Sequence, residues 1–151
     1  LVDKIASLVE RTDISAAQLT FEVTETSVMS NLKACLSTLT RLRIKGFGIA
    51  MDDYGTGYSS MKQLAKCPFT ELKIDRSFVH AASSDQKLLS ILTAAINISQ
   101  ELKLTSVAEG VEDFEDWRLA RSLNCEIGQG YYFSRPLPKP EMLAYLIKRS
   151  E

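Results

Sequence analysis

Apolar residues recur along this chain with two periods that take turns. Val2, Ile5, Ala6, Leu8 and Val9 fall on one helical stripe, which predicts a helix over about 2–11, ending before Thr12-Asp13. From Leu19 to Thr24 apolar and polar residues alternate around Phe21 and Val23, as in a strand. Helical spacing returns with Leu32, Cys35, Leu36, Leu39, Leu42 and Ile44, so a helix runs over roughly 31–45, capped by Ser30 or Asn31 and stopped by Gly46. Phe47 to Met51 is a second strand, and a helix from about Ser59 to Lys66 ends before Pro68. Glu71 to Asp75 is a short third strand. Asp85 opens a long helix to about Leu102, whose wide apolar face carries Leu88, Leu89, Ile91, Leu92, Ala95, Ile96 and Ile98. Leu104 to Ala108 is a fourth strand, Phe114 to Leu123 a helix, and Glu126 to Gln129 lies in or ends a fifth strand. After a proline-punctuated loop, Pro140 or Glu141 opens a terminal helix to about Arg149.

Strand and helix therefore alternate five times, the pattern of an α/β fold with a parallel sheet or barrel. A complete (β/α)8 barrel typically takes ~250 residues. The 151 residues here hold about five such units, so the sheet is either open or an incomplete barrel. No linker, low-complexity tract or internal repeat divides residues 1–151, which read as part of one domain.

Charge narrows the function by exclusion. With 18 basic and 19 acidic residues and no run of one sign, the chain offers no nucleic-acid face and no polybasic membrane contact. No apolar stretch reaches the length of a membrane span, and Leu1-Val2-Asp3-Lys4 lacks the order of a signal peptide. Cys35, Cys67 and Cys125 are odd in number and far apart, so they read as small core residues in a reducing compartment. His80 is the sole histidine, which excludes a histidine-based nucleophile relay or a multi-histidine metal site within the chain. Chemistry then falls to carboxylates, a lysine and a metal. The chain opens inside an amphipathic pattern and without Met, as a fragment of a longer protein would.

In parallel α/β folds, ligands bind at the carboxyl ends of the strands. The first strand ends in Glu22-Val23-Thr24-Glu25 and the second in Asp52-Asp53, followed by Tyr54, Gly55, Thr56 and Gly57. The third carries Lys73 and Asp75, two apart and so on one face. The fourth ends in Glu109-Gly110-Val111-Glu112 and the fifth in Gln129-Gly130. Each piece has a plain reading as well: an Asx turn and helix cap at Asp52-Asp53, a snorkelling Lys73, first-turn acids at Glu109 and Glu112. Together they place an oxygen-rich site on one rim. Carboxylates without thiol or imidazole suit Mg²⁺ or Mn²⁺. If Asp52 bridges two ions and Asp53 serves one, the site suits in-line attack of water at phosphorus, with Lys73 as a fixed cation for a phosphate oxygen or for the water. Hydrolysis of a phosphoester is the reaction class that follows.

The motifs Glu22-Val-Thr-Glu25, Asp52-Asp53-Tyr-Gly-Thr-Gly-Tyr-Ser-Ser60, Lys73-Ile-Asp75-Arg-Ser-Phe78, Ala108-Glu109-Gly-Val-Glu112 and Gln129-Gly-Tyr-Tyr-Phe-Ser-Arg-Pro136 closely resemble the EAL-domain family of bacterial cyclic-di-GMP phosphodiesterases, in that family's order and through nearly the whole chain. The resemblance implies a TIM-like barrel, of which this chain carries about five of eight strands. It implies two Mg²⁺ or Mn²⁺ ions and hydrolysis of cyclic-di-GMP to linear 5′-pGpG in the cytoplasm. It assigns Glu22 to the first metal, Asp52 to the bridge, and Asp53 and Glu109 to the second metal. Lys73 and Gln129 would attend the nucleophilic water, and Glu25 would hold the Asp53–Ser60 loop, which in the family connects the metal site to a homodimer interface. Asp75, Glu112, Tyr132 and Pro136 are the expected substrate contacts. Tyr54 stands where Phe is usual, and Met51 and Met61 where Leu is usual, which are mild changes. The family's Glu-Ala-Leu motif and a metal-binding asparagine would lie upstream of residue 1, along with any regulatory domain. The resemblance therefore implies an active parent protein and a nearly inactive isolated fragment. A degenerate cyclic-di-GMP-binding module that signals without turnover is the alternative.

Overall fold

The computed structural model describes residues 1–55 and 64–150; of Met29, Arg149 and Ser150 only the backbone is described. Its centre is one parallel sheet. Strands β1 (Thr20–Thr24), β2 (Gly48–Tyr54), β3 (Glu71–Ile74), β4 (Thr105–Glu109) and β5 (Ile127–Gln129) lie in sequential order, each hydrogen-bonded to the next. Doubly wound sheets reverse their strand order at a switch point. This sheet does not reverse, so it is an arc of a TIM-like (β/α) barrel.

Helices α1 (Val2–Val9), α2 (Glu25–Ser30), α3 (Leu32–Ile44), α4 (Arg76–Val79), α5 (Gln86–Glu101), α6 (Phe114–Ser122) and α7 (Lys139–Ser150) accompany the strands. Side-chain caps fix where several of them begin. Asn31 accepts the Ala34 N–H, Asp85 those of Lys87 and Leu88, and Asp113 that of Asp116. The expected α5 is found within a residue at each end because Asp85 closes its first turn. The short helices α2 and α4 do not stand out in the sequence, since six and four residues are too few to show a period. The helix expected over 59–66 falls mostly outside the described residues.

Two packed clusters flank the sheet. One gathers Leu39, Leu42, Phe47, Ile49, Met51, Leu64, Phe69 and Leu72 with Val2 and Ala6 of α1. The other joins Ile74 and Ala108 to Val79, Leu92, Ala95, Ile96 and Ala120. Tyr54, at the end of β2, packs against both. Full burial of each large aliphatic side chain is worth ~1.5–3 kcal/mol, so these clusters hold the strands and fix their ends in space. Ile44 departs from the expected stripe: it closes α3 and is 78% exposed. Among the described residues, no helix is long and apolar enough to cross a membrane.

Candidate metal and phosphoester site

The strand register explains why two adjacent aspartates meet at one point. In a regular strand, neighbouring side chains face opposite sides of the sheet. Here Met51 pairs with Leu72 but Tyr54 pairs with Ile74, so Asp52 and Asp53 together stand against the single residue Lys73. That is a β-bulge, and Asp53 takes a positive φ of 56° within it. The expectation that Asp52 and Asp53 serve one site required this irregularity. Its only trace in the sequence is the pair of adjacent carboxylates.

Lys73 is the centre of the rim. Its side chain is 6% exposed, and its ammonium meets Glu22 at 2.7 Å, Glu109 at 2.8 Å and Asp52 at 3.1 Å. An ammonium has three donors, and three carboxylates take them. Burial alone would push the Lys73 ammonium down, but the hydrogen bonds to Glu109, Glu22 and Asp52 more than offset it and hold the group above its ordinary range. Lys73 is therefore a positive charge fixed at the centre of the rim.

Among the described residues, one ammonium stands among four carboxylates. Asp52, Asp53 and Glu109 each offer an oxygen within 4.8 Å of the others. Burial pushes Glu109 up; Lys73 pulls it back, and Asp52 and Glu22 push it up again. Asp53 is also pushed up, by burial first and then by Asp52 and Asp75. These strained carboxylates, with oxygen donors only, fit a hard divalent cation. Glu22 is not one of that trio and meets the Lys73 ammonium.

Around this centre the other expected residues divide. Glu25, the first residue of α2, is 2% exposed, and its Oε2 accepts the Gly55 N–H at 3.3 Å. Gly55 directly follows β2; the rest of the loop that Glu25 is expected to hold, Thr56 to Ser60, lies outside the described residues. Gln129 ends β5 opposite Glu109. With Arg76, Gly110, Glu112, Gly130 and Tyr131 it lines a rim pocket of about 230 Å³. Asp75 leaves the strand and caps α4, accepting the N–H of Ser77 at 2.9 Å and that residue's hydroxyl. Tyr132 sets its ring edge-on to Phe133 at 5.1 Å and tilted against Phe114 at 6.5 Å. Pro136 is an exposed residue of the loop leading to α7. Arg76 and Tyr131, which line the rim pocket, were not singled out in the sequence, although both sit inside motifs quoted for their neighbours. Tyr131 also lies under the Arg135 guanidinium, 4.6 Å from its ring centre.

Comparison with known proteins supplies the family. The profile described as EAL domain matches residues 1–136. The cyclic di-GMP phosphodiesterase RocR of Pseudomonas aeruginosa is 37% identical over 145 residues, which are 96% of this chain and 37% of RocR. The solved structure of the PaMucR phosphodiesterase in a c-di-GMP complex superposes with a TM-score of 0.88 at 37% identity, over 94% of this chain and 57% of that one. Klebsiella pneumoniae BlrP1, solved as a manganese/cy-diGMP complex, gives a TM-score of 0.83 at 30% identity, over 89% of this chain and 34% of that one. The chain thus spans little more than a third of RocR and somewhat over half of the PaMucR chain.

Proposed function

The chain belongs to the EAL domain family, and on that premise we propose that the protein carrying it hydrolyses cyclic di-GMP to linear 5′-pGpG. The observation that carries the reading is the rim itself: Lys73 holding Glu22, Asp52 and Glu109, with Asp52, Asp53 and Glu109 gathered by the bulge. In this reading Asp52, Asp53 and Glu109, together with Glu22, would hold divalent metal, Mg²⁺ or Mn²⁺. Bound metal would lower the pKa of a water and stabilise the leaving oxygen. Lys73, fixed by its three carboxylates, supplies a positive charge beside that water and the phosphate oxygens. Gln129, opposite Glu109, is placed to orient the same water. The water oxygen forms the new bond to phosphorus, the bond from phosphorus to the 3′ oxygen breaks, and that oxygen leaves with a proton. Asp75, Glu112, Tyr132 and Pro136 are assigned to the nucleotide.

The same reading places the protein in the cytoplasm as a homodimer, linked to a regulatory domain. Support for self-association comes from an apolar pocket beside the Glu25–Gly55 contact, lined by Tyr54, Phe78, Ile91, Ala95 and Ile98. The test is turnover of cyclic di-GMP by the full-length protein with Mn²⁺, followed by chromatography of the product. Release of 5′-pGpG supports the proposal. Tight binding of cyclic di-GMP without product would instead establish a binding module.

A further inference from the structure

The loops that follow β3 and β4 touch at two places. Gly110, at a φ of 64°, lies against Arg76, where a Cβ would come within 2.3 Å of the Arg76 Cβ. The second contact is Asp116. Its side chain is only 5% exposed, its Oδ2 accepts the backbone N–H of Glu112 at 3.1 Å, and the same oxygen lies 3.4 Å from Nδ1 of His80.

Asp116 is the third residue of α6, and its own N–H goes to the cap residue Asp113 at 2.9 Å. A side chain at that position ordinarily reaches back to the N–H of the cap. This one reaches one residue further, to Glu112. His80 follows directly on α4, so Asp116 joins the loop carrying Glu109 and Glu112 to the loop that follows Lys73 and Asp75. Glu112 in turn lines the rim pocket with Arg76, Gln129 and Tyr131.

We propose that Asp116, backed by His80, is a positioning residue. It holds the backbone of Glu112 and so sets where the Glu112 side chain stands at the substrate pocket. In its kinetic consequence the proposal rests on the phosphodiesterase reading above.

The test compares Asp116→Ala, Asp116→Asn and Asp113→Ala in the full-length protein. A hydrogen bond to a charged acceptor is lost in Asp116→Ala, and the KM for cyclic di-GMP rises about tenfold, with kcat within about twofold. Asp116→Asn keeps an acceptor oxygen and returns KM to within about threefold of the parent. Asp113→Ala removes the helix cap but not the bond to Glu112; it lowers Tm and leaves KM unchanged. Amide exchange at Glu112 accelerates about tenfold in Asp116→Ala and not in Asp113→Ala. An unchanged KM in Asp116→Ala overturns the proposal, and so does an equal rise in Asp113→Ala, which would reduce Asp116 to a capping residue. If the parent protein hydrolyses no cyclic di-GMP, the phosphodiesterase reading fails, and Glu112 exchange alone decides whether Asp116 holds the loop.

Discussion

The two ends of the same five strands treat their polar groups in opposite ways. At the amino ends, carboxylates and hydroxyls meet neutral partners. Glu71 accepts the Thr20 hydroxyl at 2.9 Å. Ser106 and Glu126 exchange two bonds, each side chain accepting the other's backbone N–H at 3.1 Å. Thr70 Oγ1 accepts the Ile49 N–H at 2.9 Å and donates to the Ile49 carbonyl at 3.0 Å. At the carboxyl ends, Glu22, Asp52 and Glu109 converge on Lys73 with Asp53 beside them, and burial first, then the neighbouring carboxylates, push Asp53 and Glu109 up. Among the described residues, the amino end pairs its carboxylates with neutral donors, while the carboxyl end gathers four carboxylates around one lysine. In barrels of this type, chemistry sits at the carboxyl face and stability at the amino face. The charge imbalance is the physical form of that division here.

The largest effects should come from the carboxyl rim, and with opposite signs in stability. Lys73→Met removes the cation that three carboxylates share. It should destabilise the protein by ~3–5 kcal/mol in urea unfolding without metal, as a broken buried ion pair does, and reduce hydrolysis at least ~10²-fold. Asp53→Asn should also reduce hydrolysis ~10²-fold, yet leave the metal-free protein equally stable or more stable by ~0.5–1 kcal/mol, because burial and the Asp52 charge already work against its ionised form. If Asp53→Asn destabilises as much as Lys73→Met, the rim is not over-charged, and the comparison between the two ends fails.

Divalent metal should complete the rim and so bring the two ends closer in character. Mn²⁺ at about 100 times its dissociation constant should add ~2.7 kcal/mol of stability by mass action. In Asp53→Asn that gain should shrink to less than half. An equal rise in Tm for parent and variant would place the ion elsewhere.

At the amino end the expected effect is smaller and purely structural. Ser106→Ala removes the acceptor of the Glu126 N–H and should cost ~1–2 kcal/mol, with kcat and KM for cyclic di-GMP within about twofold of the parent. A loss of turnover larger than the loss of folded protein would show that the amino end reaches the site.

Much of this architecture was legible in the sequence. The five strands and the long helices α1, α3, α5, α6 and α7 follow from periods sustained over enough residues, and Asn31, Asp85 and Gly46 mark boundaries by local chemistry. The rim residues could be found because barrel geometry says where to look, at strand ends. What stayed hidden depends on tertiary register. The bulge at Asp52-Asp53 appears only when β2 is paired with β3. The contact of Asp116 with His80 appears only when α6 is docked beside α4. Asp75, which shares a face with Lys73 by count, leaves the strand to cap α4, a helix of four residues too short to show a period.

The finest contrast lies at Thr20 and Gly48. These residues pair across β1 and β2, and the Thr20 hydroxyl passes over Gly48 to reach Glu71 on β3. A Cβ at Gly48 would stand 2.4 Å from Thr20 Oγ1, but 3.2 Å or more from the Thr20 Cβ and Cα. Gly48→Ala should therefore cost ~1–3 kcal/mol through overpacking, while Thr20→Ala, which loses one exposed hydrogen bond, should cost only ~0.5–1 kcal/mol. Removing the hydroxyl first clears most of the clash, so the double variant should be more stable than the sum of the two losses predicts by ~0.5 kcal/mol or more. Denaturant unfolding of the four proteins measures this coupling. Additive losses would mean that the strain at Gly48 comes from the strand backbone and not from the Thr20–Glu71 bond. The neutral pairing of the amino end would then constrain the sheet less than its geometry indicates.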